Sequence, residues 1–584
     1  MSTDQIHFSS EELAPFDRDF LKSKTNIALI GSGSIGGKAS GLAYAENALA
    51  AHFRDNRISN ITLGIPRFVV IATDFFDEFL DLNDLRETAA SDMSDDYIAH
   101  SFEAGRLPDK LAENLRLLAA QSETPLAVRS SSLLEDAMYE PFAGVYATKM
   151  IPNHTTDAAM RFEKIAAAVK FVYASTFFSH AKSYHRAIGR STDEEKMAVM
   201  IQEVVGRRHG DRFYPDVSGV ARSYNFYPVG YAKPENGVVS LALGLGKTIV
   251  DGGLVWSYSP AYPRVNPPVA SAGELLKMSQ NEFWAINMGP PAATNPLSDT
   301  EYLTRAGLSE AGEDGTLRFV ASTYHAQDDR IVTGLRSSGP PIITFAPILL
   351  ADQIPLNDLV MEMLDICENV FQSKVEVEFA VSISAADEIS AHFGFLQVRP
   401  MVVSDAVVDL TPEEMAGDDV LVASEKSLGN GVTESIEDVI YIDPDNFEAK
   451  YTKSIAAELS DFNRRMLESG RPYILIGFGR WGSSDPWLGI PVSWGQISGV
   501  RALVEATLPG MDVDLSQGAH FFHNMTSFRI CYFAVPYNGR YGINWDWLKK
   551  QELSGQGEFV RHVHTSEKMQ IKVDGRTGRG VIRL

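Results

Sequence analysis

The sequence predicts an α/β (α+β) protein built from several domains, and three observations carry that prediction. Short apolar runs that read as buried strands alternate with amphipathic runs at helical spacing. The pattern turns strand-rich after Met197, with turn residues between the runs. At 584 residues the chain is too long for a single core, and 45% hydrophobic with 22% charged residues describes an ordinary soluble globular protein.

In chain order, Asn26 to Ile30 reads as a strand entering a Gly/Ser-rich turn, and Lys38 to Ala51 as a helix. Residues 67–71 (RFVVI) give a second strand, and 75–120 carry helical patterns broken near Gly105 and Pro108. Leu126-Ala127-Val128 is a short buried strand that delivers Arg129. Residues 158–189 read as one long amphipathic helix. MAVMIQEVV, SGVARSYNFY and GVVSLALGLG are strand-like, whereas 260–345, rich in Pro, Ala, Asn and Ser, is expected to be irregular. Pro355 to Gln372 has proline near its first helical turn. The alternating run 375–381 places Glu376 and Glu378 on one strand face, and Phe393 to Arg399 brings Gln397 and Arg399 to a common face. Beyond an acidic linker come a strand VIYID, a helix around 446–468 and the strand within YILIGFGRWGSSDPW.

A formal charge of −24 argues against a nucleic-acid backbone or an anionic membrane as partner, since either needs an extended basic face. An anionic ligand must then meet a local cationic pocket. Cys367 and Cys531 are too few for a disulfide framework, and no run of about 18 uncharged apolar residues is present. The start MSTDQIHFSSEE lacks the basic and apolar regions of a signal peptide, so the cytoplasm is the expected compartment.

The densest chemistry lies in PLAVRSSSLLEDAMYEPFAGVYAT, residues 125–148. The Arg129 guanidinium can fork onto phosphate oxygens, Phe142-Ala143-Gly144 lets backbone approach them, and Thr148 adds a hydroxyl. Upstream, Gly31-Ser32-Gly33-Ser34-Ile35-Gly36 matches the dinucleotide fingerprint. The matching ribose acid would be Asp55, which sits in a polar stretch instead of at a strand end. A phosphate-binding P-loop also nearly fits, but Ser32 replaces its first glycine and Ala39 its magnesium-binding hydroxyl.

VRSSSLLED followed by FAGVYAT resembles the nucleotide-binding domain of phosphoenolpyruvate synthase, pyruvate phosphate dikinase and rifampin phosphotransferase. Gly36-Gly37-Lys38, Gly64-Ile65-Pro66, MAVMIQ, Ser218-Gly219-Val220-Ala221, Leu243-Gly244-Leu245-Gly246 and Leu396-Gln397-Val398-Arg399-Pro400 resemble that family's landmarks in the same order. The resemblance covers roughly 25–403. It implies an ATP-grasp fold with an N-terminal extension (1–24), a first subdomain (25–195), a second (196–403) carrying the irregular insertion 260–345, and a diverged swivelling-like domain (404–584).

It also implies site roles. Lys38, Arg129, Gly144 and Thr148 would hold the ATP phosphates, and Gln202 the adenine. Glu378 and Gln397 would bind Mg²⁺, and Arg399 would stabilise transition-state charge. Two departures stand out. Lys247 replaces an acid after the Gly-Leu-Gly, and about 180 residues after Pro400 are too few for a phosphoenolpyruvate barrel. In the last region His520 follows Gly518 where the family's phosphoryl-carrying histidine would fall, although Gln517 and Ala519 replace a glycine and a hydroxyl residue. His520 and His523 lack a third ligand for zinc, and His562-Val563-His564 reads as a structural strand.

The resemblance therefore implies an ATP-dependent phosphotransferase with an unknown small-molecule or protein acceptor; a homodimer is one assembly compatible with it. A nucleotide-gated regulatory module and a ligase acting through an acyl phosphate are the alternatives.

Overall fold

The computed structural model describes residues 12–584 except 24, 56–57, 134, 136–143, 188–194, 227, 229–230, 252, 266–270, 291–294, 296, 337–338, 386–387, 402, 404–407, 484–486 and 512–529. The chain divides into two compact units. One comprises 1–181, 191–225 and 229–401, the other 182–190, 226–228 and 402–584.

The first unit is built on two six-stranded sheets. In chain order its principal elements are β1 (Ile27–Ile30), α1 (Gly36–Asp55), β2 (Ile61–Gly64), β3 (Phe68–Ile71), β4 (Leu126–Ser132), β5 (Thr148–Ile151), α2 (Ala158–Ser175), β6 (Met197–Glu203), β7 (Val217–Arg222), β8 (Val238–Ala242), β9 (Trp256–Tyr258), α3 (Leu356–Phe371), β10 (Lys374–Ser384) and β11 (Ser390–Met401). The first sheet runs from the short strand Ala14–Pro15 through β1, β3, β6 and β4 to β5; the second has the order β9, β8, β7, β10, β11, β2. Their apolar faces share one core with α1 and α3, centred on Leu42, Phe68, Val217, Val377 and Phe395. Gly219 on β7 is required there, because a Cβ would fall 2.0 Å from the ring of Phe379, which stacks on Phe393.

Three elements differ from the sequence expectation. The sequence pattern groups MAVMIQ with the second subdomain, whereas β6 pairs antiparallel with both β3 and β4 in the first sheet. Its six successive buried residues suit a strand with neighbours on both edges and cover on both faces. The expected helix over 158–189 is broken: α2 ends at Ser175 and a separate helix covers Ser179–Ala187. The Ser175 hydroxyl donates to the Val172 carbonyl and accepts from the Ala147 amide, tying the helix end to the strand beside it. The segment 260–345 is also regular: Leu303–Gly307 and Glu282–Asn287 join Arg212–Tyr214 and Arg207–His209 in a four-stranded sheet, and Arg330–Thr333, Ala321–His325 and Pro341–Ile343 form a three-stranded one. Its Pro and Asn mark the turns between short strands.

The second unit is organised by one mixed sheet. Its parallel centre is β12 (Gly431–Ile442), β13 (Tyr473–Phe478), β14 (Val500–Ala506) and β15 (Cys531–Val535), with α4 (Thr452–Glu468) leading into β13. Antiparallel β16 (Val560–Asp574) and β17 (Arg579–Arg583) extend it beside β12. The helix expected around 446–468 begins at Thr452, after a short 3₁₀ turn at Ala449–Tyr451. Trp481 and Trp494 are buried, and Trp481 donates its indole N–H to the Val504 carbonyl, whereas Trp487 is exposed. Among the described residues no helix is long and apolar enough to cross a membrane.

One buried acid ties stability to pH. Glu195, just before β6, accepts from the Tyr146 hydroxyl at 3.0 Å, and burial pushes its carboxyl from 4.5 up to about 7, with the Glu135 charge adding to the rise. A carboxyl whose folded value is raised contributes most below about 4.5, and its contribution is lost as pH climbs through about 7. Chemical unfolding of wild type should therefore weaken over that window, by on the order of 2–3 kcal/mol from this group. Glu195→Gln should flatten the dependence; an unchanged slope would show that Glu195 does not set it.

Candidate functional site

Strand β4 carries the site because its side chains alternate between two environments. Arg129 stands directly opposite Thr148 on β5 and near Gln202 on β6, so these three share a face of the first sheet. The Arg129 guanidinium donates to Gln202 Oε1 at 3.2 Å. It also reaches the second sheet, donating to the Leu396 carbonyl at 3.2 Å and to Gln397 Oε1 at 2.5 Å, and lies 3.6 Å from Glu378. Arg129, Thr148, Gln202, Glu378 and Gln397 are thus brought together from both sheets.

Gln202 is 2% exposed, and its Nε2 has no hydrogen-bond partner among the described residues. A buried amide donor without a partner costs about 1–3 kcal/mol, so this geometry suits an acceptor supplied by a ligand. The Gln397 oxygen, expected to bind magnesium, is held by Arg129; a metal role requires exchange of that bond. Glu378, half-buried, is the exposed carboxylate of the cluster and lies 3.9 Å from Arg399.

Glu376 and Arg399 form a deeper layer. Glu376 is 1% exposed and takes the guanidinium groups of both Arg399 and Arg222, with Arg399 Nε donating at 2.7 Å. The strand register puts Glu376 opposite Arg399 and Arg222 on the two flanking strands. Arg222 was not anticipated; its signal is the register that seats it beside Glu376. Glu378 pairs with Gln397 in the same ladder, and the register shift that follows leaves Leu396 as the extra residue of a bulge beside Arg129.

Lys38, on the first turn of α1, sits in an adjoining cluster. Its ammonium donates to Glu135 Oε1 at 2.5 Å and to Ser130 Oγ at 3.1 Å. Glu135 also accepts from Ser130 Oγ and from the Ser132 amide, so the hydroxyl run of β4 encloses it. Gly36 and Gly37 make this approach possible. A Cβ on Gly36 would lie 1.6 Å from the Ser131 carbonyl oxygen and one on Gly37 1.7 Å from that of Glu135. The preceding turn is not a pyrophosphate cradle. Asp74 accepts from the Ser32 amide and Thr73 Oγ1 from the Ser34 amide, so the donors a dinucleotide would need are committed.

Gly144 precedes Thr148 in a left-handed turn, φ +67°, and Thr148 is half-buried beside Arg129. Lys247, the departure from the family pattern, has its charge balanced by Asp251 at 3.3 Å and Asp299 at 3.4 Å. His520 and His523 lie outside the described residues. No group of three or more His, Cys, Asp or Glu among the described residues could hold a metal by itself. Magnesium at Glu378 would therefore draw its other ligands from phosphates and water.

The two layers should separate by mutation. Glu376→Gln leaves Arg222 and Arg399 under-paired in the core and should lower stability by about 3 kcal/mol in chemical unfolding. Glu378→Gln should cost less, because its guanidinium neighbours stand at 3.6 and 3.9 Å, farther than the direct bonds that hold Glu376. Equal effects would overturn the assignment of Glu376 to the structural layer.

Comparison with known proteins agrees with this architecture. A 190-residue stretch, 32% of this chain, is 30% identical to the "Uncharacterized phosphotransferase YvkC" of Bacillus subtilis (strain 168). The chain spans only about a fifth of the length of that relative. The model of the pyruvate phosphate dikinase AMP/ATP-binding domain matches residues 32–417, which include the second six-stranded sheet, the first apart from Ala14–Pro15 and β1, and every residue of the cluster around Arg129. On this match the chain belongs to the pyruvate phosphate dikinase AMP/ATP-binding domain family.

Proposed function

We propose that the chain is an ATP-dependent phosphotransferase, in which the first unit binds MgATP and supplies a phosphoryl group to an acceptor. The observation that carries this reading is the convergence on Arg129 of Gln202 from the first sheet with Gln397 and Glu378 from the second. In this reading the buried Gln202 Nε2 donates to the adenine, and Arg129 and Thr148 hold phosphate oxygens. Lys38 turns from Glu135 to a phosphate, and the buried Glu135 then keeps the Ser130 hydroxyl and the Ser132 amide as its donors. Arg399, locked by Glu376, keeps a fixed positive charge beside Glu378 where negative charge develops. Magnesium bound at Glu378 would neutralise phosphate charge during transfer. His520 is the proposed carrier of the phosphoryl group to the acceptor, by attack of its imidazole nitrogen on phosphorus with departure of the nucleotide.

Two ion-pair arrangements support the reading. Asp251 and Asp299 offset the charge of Lys247, and Lys38 is already seated with a carboxylate that a phosphate can replace. Arg129→Ala should weaken MgATP binding in calorimetry by about 2–4 kcal/mol. Wild-type binding in that variant would remove Arg129 from the site. Glu378→Gln should retain nucleotide binding yet lose Mg²⁺-dependent turnover, and unchanged turnover would exclude Glu378 as a metal ligand. Product analysis tests the reaction itself. AMP with phosphate marks a dikinase-type transfer, ADP a simple kinase, and no turnover of bound ATP refutes the phosphotransferase reading. Acid-labile, base-stable label from ATP, lost in His520→Ala, is the result expected of a histidine carrier.

A further inference from the structure

The second unit holds a polar cluster separate from the nucleotide site. Asp438 on β12 is 1% exposed, and its Oδ1 accepts from Arg471 Nη1 at 3.1 Å. The same oxygen lies 2.7 Å from His562 Nε2 and 3.2 Å from His564 Nδ1. Sheet topology builds this arrangement. Asp438 is opposite His564 on β16 and opposite Tyr473 on β13, two positions beyond Arg471. The strand period of two brings His562 to the same face, where its ring meets Phe462 of α4 edge-on.

The burial of the four side chains divides them. Asp438 and His562 are enclosed, but the side chains of Arg471 and His564 are 40% and 39% exposed and stand 3.0 Å apart at Nη1 and Nδ1. Each is anchored by one nitrogen to the buried carboxylate. Arg471 Nη2 and His564 Nε2 have no partner among the described residues.

We propose that Arg471 and His564, oriented by Asp438, form a binding site for a phosphate-group oxyanion. Arg471 donates from Nε to Ser469 Oγ at 3.4 Å and from Nη1 to Asp438, so Nη2, held in the guanidinium plane, is the nitrogen left to donate to an oxyanion. An imidazole fixed at Nδ1 by a carboxylate directs Nε2 outward, where it shares a proton with a phosphate oxygen. The buried carboxylate holds both groups in place before the ligand arrives, which removes much of the ordering cost of binding. Because Asp438 cancels the charge of Arg471, selectivity rests on hydrogen-bond geometry instead of net charge. Phosphate should therefore bind where chloride at equal ionic strength does not.

The test uses the full chain labelled with ¹⁵N-histidine, in which 13 imidazoles report individually and His564→Gln assigns its own signal. Inorganic phosphate should shift the His564 resonance saturably, in the millimolar range, while sodium chloride leaves it in place. Arg471→Ala should weaken that titration about tenfold or more. Arg471→Lys, which keeps the charge but cannot both bond Asp438 and aim an in-plane donor outward, should fail to restore it. Glycerol 1-phosphate titrated alongside separates the sources: tighter binding assigns the site to a phosphorylated small molecule, equal or weaker binding to free phosphate. A His564 signal unmoved by either compound, or an Arg471→Ala protein that titrates like wild type, overturns the proposal. The nucleotide site does not confuse the readout, because Arg129→Ala should leave the His564 titration unchanged, and its loss in that variant would also count against the assignment.

Discussion

One guanidinium joins the two sheets of the first unit at the point where their strands come closest in chemistry. Arg129 is only partly buried, and its donors are distributed between a glutamine of the first sheet and a carbonyl, a glutamine and a carboxylate of the second. Such a group is stable in place only while both sheets present their acceptors at the correct separation, so the site reports directly on the packing beneath it. The packing is supplied by α1 and by the rings of Phe379 and Phe393, and by a glycine small enough to let them stack. Arg129 is thus both a ligand candidate and a structural link.

Charge is handled in layers around that link. The innermost layer, Glu376 between Arg222 and Arg399, is closed to solvent and satisfied by its own partners. Such an arrangement costs desolvation but fixes orientation. Lys38 with Glu135 forms a second closed pair, enclosed by hydroxyls of the same strand. Glu378 and the free amide of Gln202 are left as the groups whose bonding is incomplete. Lys38, Arg129, Arg222 and Arg399 outnumber Glu135, Glu376 and Glu378 by one, so the cluster keeps a local cationic excess within a strongly acidic chain.

Much of this was legible in the sequence because it depends on short-range rules. The period of two across Glu376 to Glu378 and the Gly36-Gly37 turn follow from strand and turn geometry, and the Arg129 string from the chemistry of its residues. Long-range partnership was not legible. Nothing local in MAVMIQ says which sheet takes it, since a run that is apolar up to Gln202 fits any buried position. The same limit hid Arg222, whose meaning comes from a register with a strand more than 150 residues away. Segment 260–345 misled because proline and asparagine report turns, and short strands between turns leave little apolar signal of their own. Ser175 broke a helix whose periodicity continued past it, through a bond to a strand outside the helix.

The pairing of β2 with β11 has a consequence for how the chain comes into being. Ile61 lies beside Ala391, so an edge of the second sheet is completed by residues made 330 positions earlier. During synthesis from the N-terminus, β2 waits without its partner until nearly all of the first unit has been translated. Closing so large a loop is entropically slow, and an unpaired strand edge is meanwhile open to other chains. β2 is short, only four residues, and none of them is fully buried, which limits what it offers to a wrong partner during that interval. The two halves of the nucleotide-binding domain are therefore bound to mature together: a nascent chain ending before β11 has the residues of the Lys38 cluster but lacks the neighbour that seats β2.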